Sequence, residues 1–450
     1  MNIEEIMLGI INKINTYFTD CITVILLLGC GIYFTLKTGF VQLRCFKEGL
    51  KNSFSGFFKG EGHSKSSSFT ALATAVAAQI GVGNIVGASS AIIIGGPGSI
   101  FWMWITAFFG MATVYVEALA AQKTRMTADS GESVGGTVYY IIKAFKGKAG
   151  TIISKAFAFA ALFSLGFIGS AVQSNAVAQT INSALNIPSF AIGGLLFALC
   201  TVVFLGGADR IMSVAEKIVP IMAGIFILVC VIIMIIRIKY IPDTFALIFR
   251  SAFAPYAILG GGAGYSFKLA VSQGVKRGLF SNEAGMGSTP YAHALARVSK
   301  PHDQAVVAMI GVFVDTFVIL TLTAVVMISV FFNDSGYYLI DGINESNMMQ
   351  AAVSSIFGDW TGKIFTSAAL FFFGFASILG WNLFGKINFQ YLFGKKFTVL
   401  YYILSVIFIC FGASFKSELM WSLADLSNSM MVIPNVISLF VLRNWATKLN

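Results

Sequence analysis

Apolar runs of roughly 20 residues, the length that crosses a bilayer core, recur along this chain between short polar segments. About eleven can be drawn, near 17–36, 69–95, 98–123, 153–183, 190–206, 211–236, 257–278, 303–331, 361–385, 398–415 and 420–442. Such runs predict helices, which satisfy their backbone hydrogen bonds within the segment. Two further stretches, 41–60 and 240–256, are long and amphipathic and are expected to lie along the interface. The pattern predicts an all-α integral membrane protein forming a single transmembrane domain over residues 1–450.

Two of the runs are interrupted. From Ala77 to Gly98 the chain reads AAQIGVGNIVGASSAIIIGGPG, in which glycine recurs six times and Gln79 and Asn84 bring amides to membrane depth. Gly81 and Gly83 flank Val82, and glycine accepts backbone angles that other residues resist. An unwound turn here frees carbonyls able to coordinate a small cation, while the amides opening the next half-helix suit a carboxylate. Close helix packing is the competing explanation of these glycines. The second interruption, GVKRGLFSNEAGMGSTPYAHA from Gly274 to Ala294, holds Ser281, Asn282 and Glu283, then Gly285, Gly287 and Pro290. A carboxylate at membrane depth is costly and predicts pairing or a place on the translocation path, unless this stretch is a loop following a complete helix. The breaks fall in the second and seventh runs, the spacing expected of two five-helix repeats.

Composition agrees with the pattern. Of 450 residues, 57% are hydrophobic and 11% charged, and the mean hydropathy is +0.81, which excludes an ordinary soluble chain. Met1 to Asp20 is polar and mildly acidic, unlike a cleavable leader. Five of six cysteines (Cys21, Cys30, Cys200, Cys230, Cys410) lie in apolar runs and read as packing residues. The formal charge of +10 invites a nucleic-acid reading, but the basic residues alternate with the spans. Lys37, Arg44, Lys47, Lys51, Lys59 and Lys65 follow the first, and Lys143, Lys146 and Lys148 the third. Arg210 and Lys217 open the sixth, Arg297 and Lys300 follow the seventh, and Lys395 and Lys396 the ninth. The opposite loop, 332–360, carries Asp334, Asp341, Glu345 and Asp359 with no lysine or arginine. This charge pattern predicts an outside amino terminus and a cytoplasmic carboxyl terminus, with no nucleic-acid partner.

Candidate chemistry is sparse. No Walker loop, kinase signature or zinc-ligand cluster is evident, and His63, His293 and His302 are scattered. In FFFGFASILGWNLFGK, Phe371 to Lys386, Ser377 and Trp381 are four apart and share a helical face. A hydroxyl there can ligate sodium and an indole can wall a small pocket, although an aromatic core stripe has the same spacing. Gln173, Asn175 and Gln179 place amides inside the 153–183 run, as helix glue or as substrate contacts.

GVGNI at 81–85, GGPGSIFWMWITAFFGMAT at 95–113, RGLFSNEAGMGSTPYAHA at 277–294 and SILGW at 377–381 resemble, in order and spacing, the alanine or glycine:cation symporter family. The resemblance covers essentially the whole chain. It implies a five-plus-five inverted-repeat transporter with discontinuous first and sixth core helices and one additional N-terminal helix. In these terms 1–60 is a peripheral helix with a basic interfacial segment, 69–236 the first repeat and 257–442 the second. It also implies substrate contacts at Gly81, Val82, Gly83, Asn84, Gln173, Phe280, Ser281, Asn282, Ser377 and Trp381. Carbonyls of Ala77 and Ile80 with the Ser377 hydroxyl would hold one sodium, Asn84 is a weaker ligand for a second, and Glu283 a proton-linked or gating group. The chain departs from the family pattern at Val82 and Ala376, where hydroxyls are missing, and at Ser377, which replaces a threonine.

The expected function is import of a small neutral amino acid, alanine and/or glycine, with sodium across the plasma membrane by a multi-pass carrier. Proton coupling and another zwitterion such as serine are the alternatives. No organic cofactor or obligate protein partner is expected beyond membrane lipid. A channel lacks its repeated carbonyl filter here, and an enzyme its convergent acid–base or metal set.

Overall fold

The computed structural model describes residues 3–58, 68–127, 133–253, 263–339 and 341–446. Met1, Lys59, His63, Lys65, Asn450 and the first residues of the 257–278 run lie outside them. Among the described residues, eight helices are long and apolar enough to cross a membrane. They are Glu4–Lys37, Ser99–Thr124, Lys148–Leu185, Gly207–Ile236, Pro301–Val330, Asp359–Phe393, Lys395–Gly412 and Ser417–Val441. A ninth is the pair Ser68–Gln79 and Val82–Gly95, bent by 55° at the glycine break. The chain is a multi-pass, all-α membrane protein. Two other predicted runs are helices of a different character. Ser189–Phe204 has only 16 residues, and Ala263–Asn282 carries Lys268, Lys276 and Arg277.

The first helix begins earlier than its hydropathy suggested. Ile3–Tyr17 continues through a π-helical turn, Phe18–Thr23, into Val24–Lys37. Asp20 in that turn is tied to Lys276 at 2.9 Å and accepts a hydrogen bond from Ser272 at 2.8 Å, so the carboxylate does not end the helix. Two more π-helical turns, Leu162–Gly169 and Phe313–Leu320, lie inside long spans. Such wide turns recur at functional sites because they re-aim side chains.

The amphipathic stretches are helices, Phe46–Phe58 and Ile241–Phe253. Phe46–Phe58 packs on Pro301–Val312. A Cβ on Gly49 would lie 2.7 Å from the Val306 carbonyl, so glycine lets the two backbones touch. Phe249 and Phe253 of the second stretch meet the Phe101 ring at 5.6 and 5.0 Å.

Asp359–Phe393 runs through the centre, against Ser68–Gln79, Ser170–Leu185 and Gly207–Ile236. Gly380 makes the first crossing possible, since its Cβ would sit 2.9–3.1 Å from Ala78. This helix spans about 50 Å at 1.5 Å per residue and separates two loops. One is the acidic loop with its hairpin, Phe332–Asn333 against Gly336–Tyr337. There the hydrogen bond and charge of exposed Lys239, 2.7 Å away, hold the Asp334 carboxyl below its usual range. The other is the basic turn Lys395–Phe397.

Single cysteines at Glu345 and Lys396 should therefore react with an impermeant maleimide from opposite faces of sealed vesicles. Labelling of both from one face would refute this arrangement.

Candidate functional site

The two broken helices meet at their breaks. Ser68–Gln79 ends at Gln79, a three-residue helical turn covers Val82–Asn84, and Val86–Gly95 resumes the span. Gly81 has φ −124°, which any residue can adopt. What requires glycine is proximity. A Cβ there would lie 2.3 Å from Ser377 Oγ and 3.0 Å from both amide atoms of Gln173, and one on Gly83 would lie 3.0 Å from the Phe280 ring. The left-handed backbone falls instead in the second break, at Glu283 (φ +58°), Gly285 (φ +85°) and Gly287 (φ +77°). A glutamate in that conformation is strained and needs surrounding contacts to hold it.

Backbone groups released at each break find side-chain partners. The Val82 amide donates to Gln173 Oε1 at 3.1 Å, and that of Gly81 to Asn84 Oδ1 at 3.2 Å. Gln79 Nε2 donates to the Asn282 carbonyl at 2.8 Å, which ties one break to the other. In the second break, Gly287 N–H donates to Glu117 Oε1 at 3.1 Å and Gly285 N–H to Glu117 Oε2 at 3.4 Å. Asn435 Nδ2 bridges Glu117 Oε1 at 2.5 Å and the Gly285 carbonyl at 2.9 Å. Ala284 N–H donates to Asn282 Oδ1 at 3.1 Å.

Ser377 donates to the Ala77 carbonyl at 3.0 Å, which joins two of the three expected sodium ligands; Ile80 is buried at the same break. Trp381 is fully buried. Its indole N–H donates to Glu283 Oε1 at 2.6 Å, and Ser288 donates to Glu283 Oε2. Its ring meets Phe280 at 5.1 Å, and Phe280 meets Trp421 at 4.6 Å. Arg277 lies over Trp421 at 4.5 Å and forks onto Asp425 at 3.1 and 3.3 Å. Arg277, Trp421 and Asp425 also line a cavity of about 420 Å³ that reaches Glu345 of the acidic loop. The aromatic series thus runs from that cavity to the breaks.

The main element missed by the sequence reading is Asp315. It sits in the Phe313–Leu320 turn, fully buried. Its carboxylate accepts from Asn84 Nδ2 at 2.8 Å, from Ser281 Oγ at 3.0 and 2.9 Å, and from Thr316 Oγ1 at 2.8 Å. Asn282 Nδ2 donates to Thr316 Oγ1 at 3.2 Å. One carboxylate, two hydroxyls and the Asn84 amide N–H, from three elements, converge there. Glu117 was missed in the same way. Both acids lie in predicted apolar runs, where an ionisable residue is itself a signal of function. Among the described residues, no lysine or arginine pairs with Glu117, Glu283 or Asp315.

Asn175 is structural glue, donating to the Gly412 and Phe415 carbonyls at 3.0 and 2.7 Å. His293 is buried against Gln304 at 2.9 Å. Glu283 lies just past the helix Ala263–Asn282, in a non-helical turn that is completely buried.

A multi-pass α-helical chain whose two interrupted helices enclose a buried polar centre has the architecture of a secondary transporter. The chain belongs to the sodium:alanine symporter family, whose model matches residues 4–450. It is thereby a transporter rather than an enzyme. It is 38% identical over 438 residues to the sodium/alanine symporter AgcS of Methanococcus maripaludis, covering 96% of this chain and 94% of that one. It is 35% identical to the amino-acid carrier protein AlsT of Bacillus subtilis, covering 94% and 87%. The probable sodium/glutamine symporter GlnT of Bacillus subtilis is 36% identical, covering 98% and 89%. Among solved structures, a manganese transporter of Eremococcus coleocola has a similar fold, with a TM-score of 0.52 at 11% identity over 84% of this chain and 85% of that one.

Trp381→Phe keeps a ring against Phe280 and removes one hydrogen-bond donor from Glu283. Leaving a buried acceptor short of a partner costs about 1–3 kcal/mol. Thermal unfolding in detergent should shift down accordingly, and an unchanged midpoint would mean the indole N–H contributes nothing to holding Glu283.

Proposed function

We propose that this chain is a plasma-membrane symporter that imports a small neutral amino acid, alanine and/or glycine, with sodium by alternating access. The observation that carries the reading is the cluster at the junction of the two breaks in which the Asp315 carboxylate meets the Ser281 and Thr316 hydroxyls and the Asn84 amide N–H. Sodium is a hard cation that prefers oxygen donors, and one carboxylate balances its charge. The hydroxyls missing at Val82 and Ala376 weaken the case for sodium in the sequence; a carboxylate with two hydroxyls supports it from elsewhere. The Ala77 carbonyl and Ser377 hydroxyl, with Ile80, form the second oxygen group of the proposal.

The amino acid's carboxylate would take the Gly81 and Val82 amides at the start of the resumed half-helix, where the helix dipole favours an anion. Asn84 Oδ1 and Gln173 Oε1 accept from those amides here, so a substrate carboxylate would compete with them. Gly83, Phe280, Ser281, Asn282, Ser377 and Trp381 would bound the pocket. The close approach of Ser377 and Gln173 to Gly81 supports a small substrate. The Arg277–Asp425 fork and the Trp421–Phe280 pair would part on the outer side to admit it.

The reading includes eleven crossings, obtained when Ser189–Phe204 and Ala263–Asn282 are added to the nine. They form two five-helix repeats, over 69–236 and 257–442, behind a peripheral segment, 1–60. The amino terminus lies outside and the carboxyl terminus inside, as the alternating basic loops support.

Proton coupling is the second reading, favoured by buried Glu283, which has no basic partner among the described residues. Proteoliposomes given an inward sodium gradient at equal pH, with the membrane potential clamped, should accumulate alanine or glycine. Accumulation that ignores sodium and follows an imposed pH gradient would overturn the sodium reading.

Asp315→Asn should raise the sodium concentration for half-maximal uptake by about tenfold or more, the loss of about 1.4 kcal/mol or more of binding. Substrate and sodium should also strengthen each other's binding by equal factors in the unmodified protein. An unaltered sodium dependence in a folded Asp315→Asn protein would remove Asp315 from the ion site.

Gly81→Ala should lower uptake severalfold, because its methyl would meet Ser377 Oγ at 2.3 Å and push the Ser377 and Gln173 side chains from their present places. Normal uptake by this variant would show that the first break does not border the substrate.

A further inference from the structure

At the basic-loop end, away from the breaks, three side chains of metal-ligating type converge. Cys45 immediately precedes the helix Phe46–Phe58, Glu48 lies in its first turn, and His302 opens Pro301–Val312. One ligand atom from each lies within 4.8 Å of the other two. The spacing of Cys45 and Glu48 at i and i+3 puts both on one helical face. Close packing at Gly49 then presents that face to His302. His302 Nε2 lies 3.3 Å from Glu48 Oε1.

We infer that Cys45, Glu48 and His302 form a binding site for a borderline divalent transition-metal ion, of which zinc is representative, clamping the amphipathic helix to the Pro301–Val330 span. Thiolate, imidazole and carboxylate together are a zinc-type donor set, and neither calcium nor magnesium takes sulfur. Zinc bonds of 2.0–2.3 Å place tetrahedral ligands about 3.3–3.8 Å apart, so a contraction of about 1 Å completes the geometry.

The orientation of His302 supports the assignment. Its Nδ1 is 2.7 Å from the Tyr115 hydroxyl, and the Tyr115 side chain is fully buried. The Tyr115 hydroxyl fixes the ring, and in the tautomer whose Nδ1–H donates to that hydroxyl oxygen the Nε2 lone pair is the one turned toward Glu48 and Cys45, as in metal-bound histidines held by a hydrogen bond at the other nitrogen. Glu48 is half exposed and Cys45 half buried, so an ion can reach the site from water. Pro301–Val312 leads into the turn bearing Asp315, so an ion here would hold the start of the span that carries the oxygen cluster.

The test uses the full-length chain purified in detergent without a polyhistidine tag, stripped with a chelator and titrated with Co²⁺ alone. The expected result is saturable binding of one ion per chain, with a near-ultraviolet thiolate-to-cobalt charge-transfer band that Zn²⁺ abolishes by displacement. Cys45→Ser should lose the band, whereas Cys21→Ser and Cys410→Ser should keep it. Glu48→Gln and His302→Gln should each weaken Co²⁺ binding at least about tenfold. Tyr115→Phe, which spares all three ligands, should weaken it by about tenfold through loss of ring orientation. Absence of saturable binding at micromolar Co²⁺, or a band that survives in Cys45→Ser, would overturn the assignment.

Discussion

A backbone polar group inside a bilayer has no water to turn to, and the centre of this protein is arranged around that constraint. Each break in a membrane helix releases amides and carbonyls that cost several kcal/mol if left bare. The first break is closed by Asn84 and Gln173, the second by Glu117 and Asn435, and Gln79 joins the two. Gln173, Glu117 and Asn435 come from helices distant in sequence, so the breaks can persist only in the assembled bundle. Each interrupted helix therefore depends on its neighbours for the hydrogen bonds it gives up.

The same constraint explains how three carboxylates can be buried together. Isolated, each would be expensive to ionise in a low-dielectric interior. Here each is surrounded by donors: Glu117 by glycine amides and Asn435, Glu283 by Trp381 and Ser288, and Asp315 by Asn84, Ser281 and Thr316. The donors also connect the acids to both breaks. A change at Asp315 reaches both breaks through Asn84 and Ser281, and one at Glu283 reaches the cavity beside Arg277 and Asp425 through Trp381, Phe280 and Trp421. The two breaks, the buried acids and the cavity beside Arg277 are thereby placed on one connected set of contacts.

Much of this was legible in the residues. The apolar runs marked the long helices, and the glycine-rich interruptions marked the two breaks, because both are local properties of the chain. Gly81 and Gly83 were recognised for a different reason than the one that applies. Their backbone angles are ordinary, and their lack of a side chain lets Ser377, Gln173 and Phe280 approach. The first helix was drawn from about residue 17 because the residues before it are polar and mildly acidic; Asp20, already inside that run, is held there by Lys276, more than 250 positions away. Asp315 and Glu117 were passed over although an acid within an apolar run is visible in the sequence, because nothing local names its partners.

By itself the sequence determined the class of the protein: apolar segments too long and numerous for a soluble core, basic clusters in alternate loops, and two helices that glycine and polar residues would not let run straight. Hydrophobic transfer and backbone flexibility act over a few residues, so their outcome can be read along the chain. Which side chains meet at the breaks was decided only by the tertiary structure. The pairing of Asn84 with Asp315, of Glu117 with the Gly285 and Gly287 amides, and of Trp381 with Glu283 spans 231, 168, 170 and 98 positions. Hydrogen bonds are directional and short-ranged, and no periodicity along a chain specifies which distant helix will supply the partner.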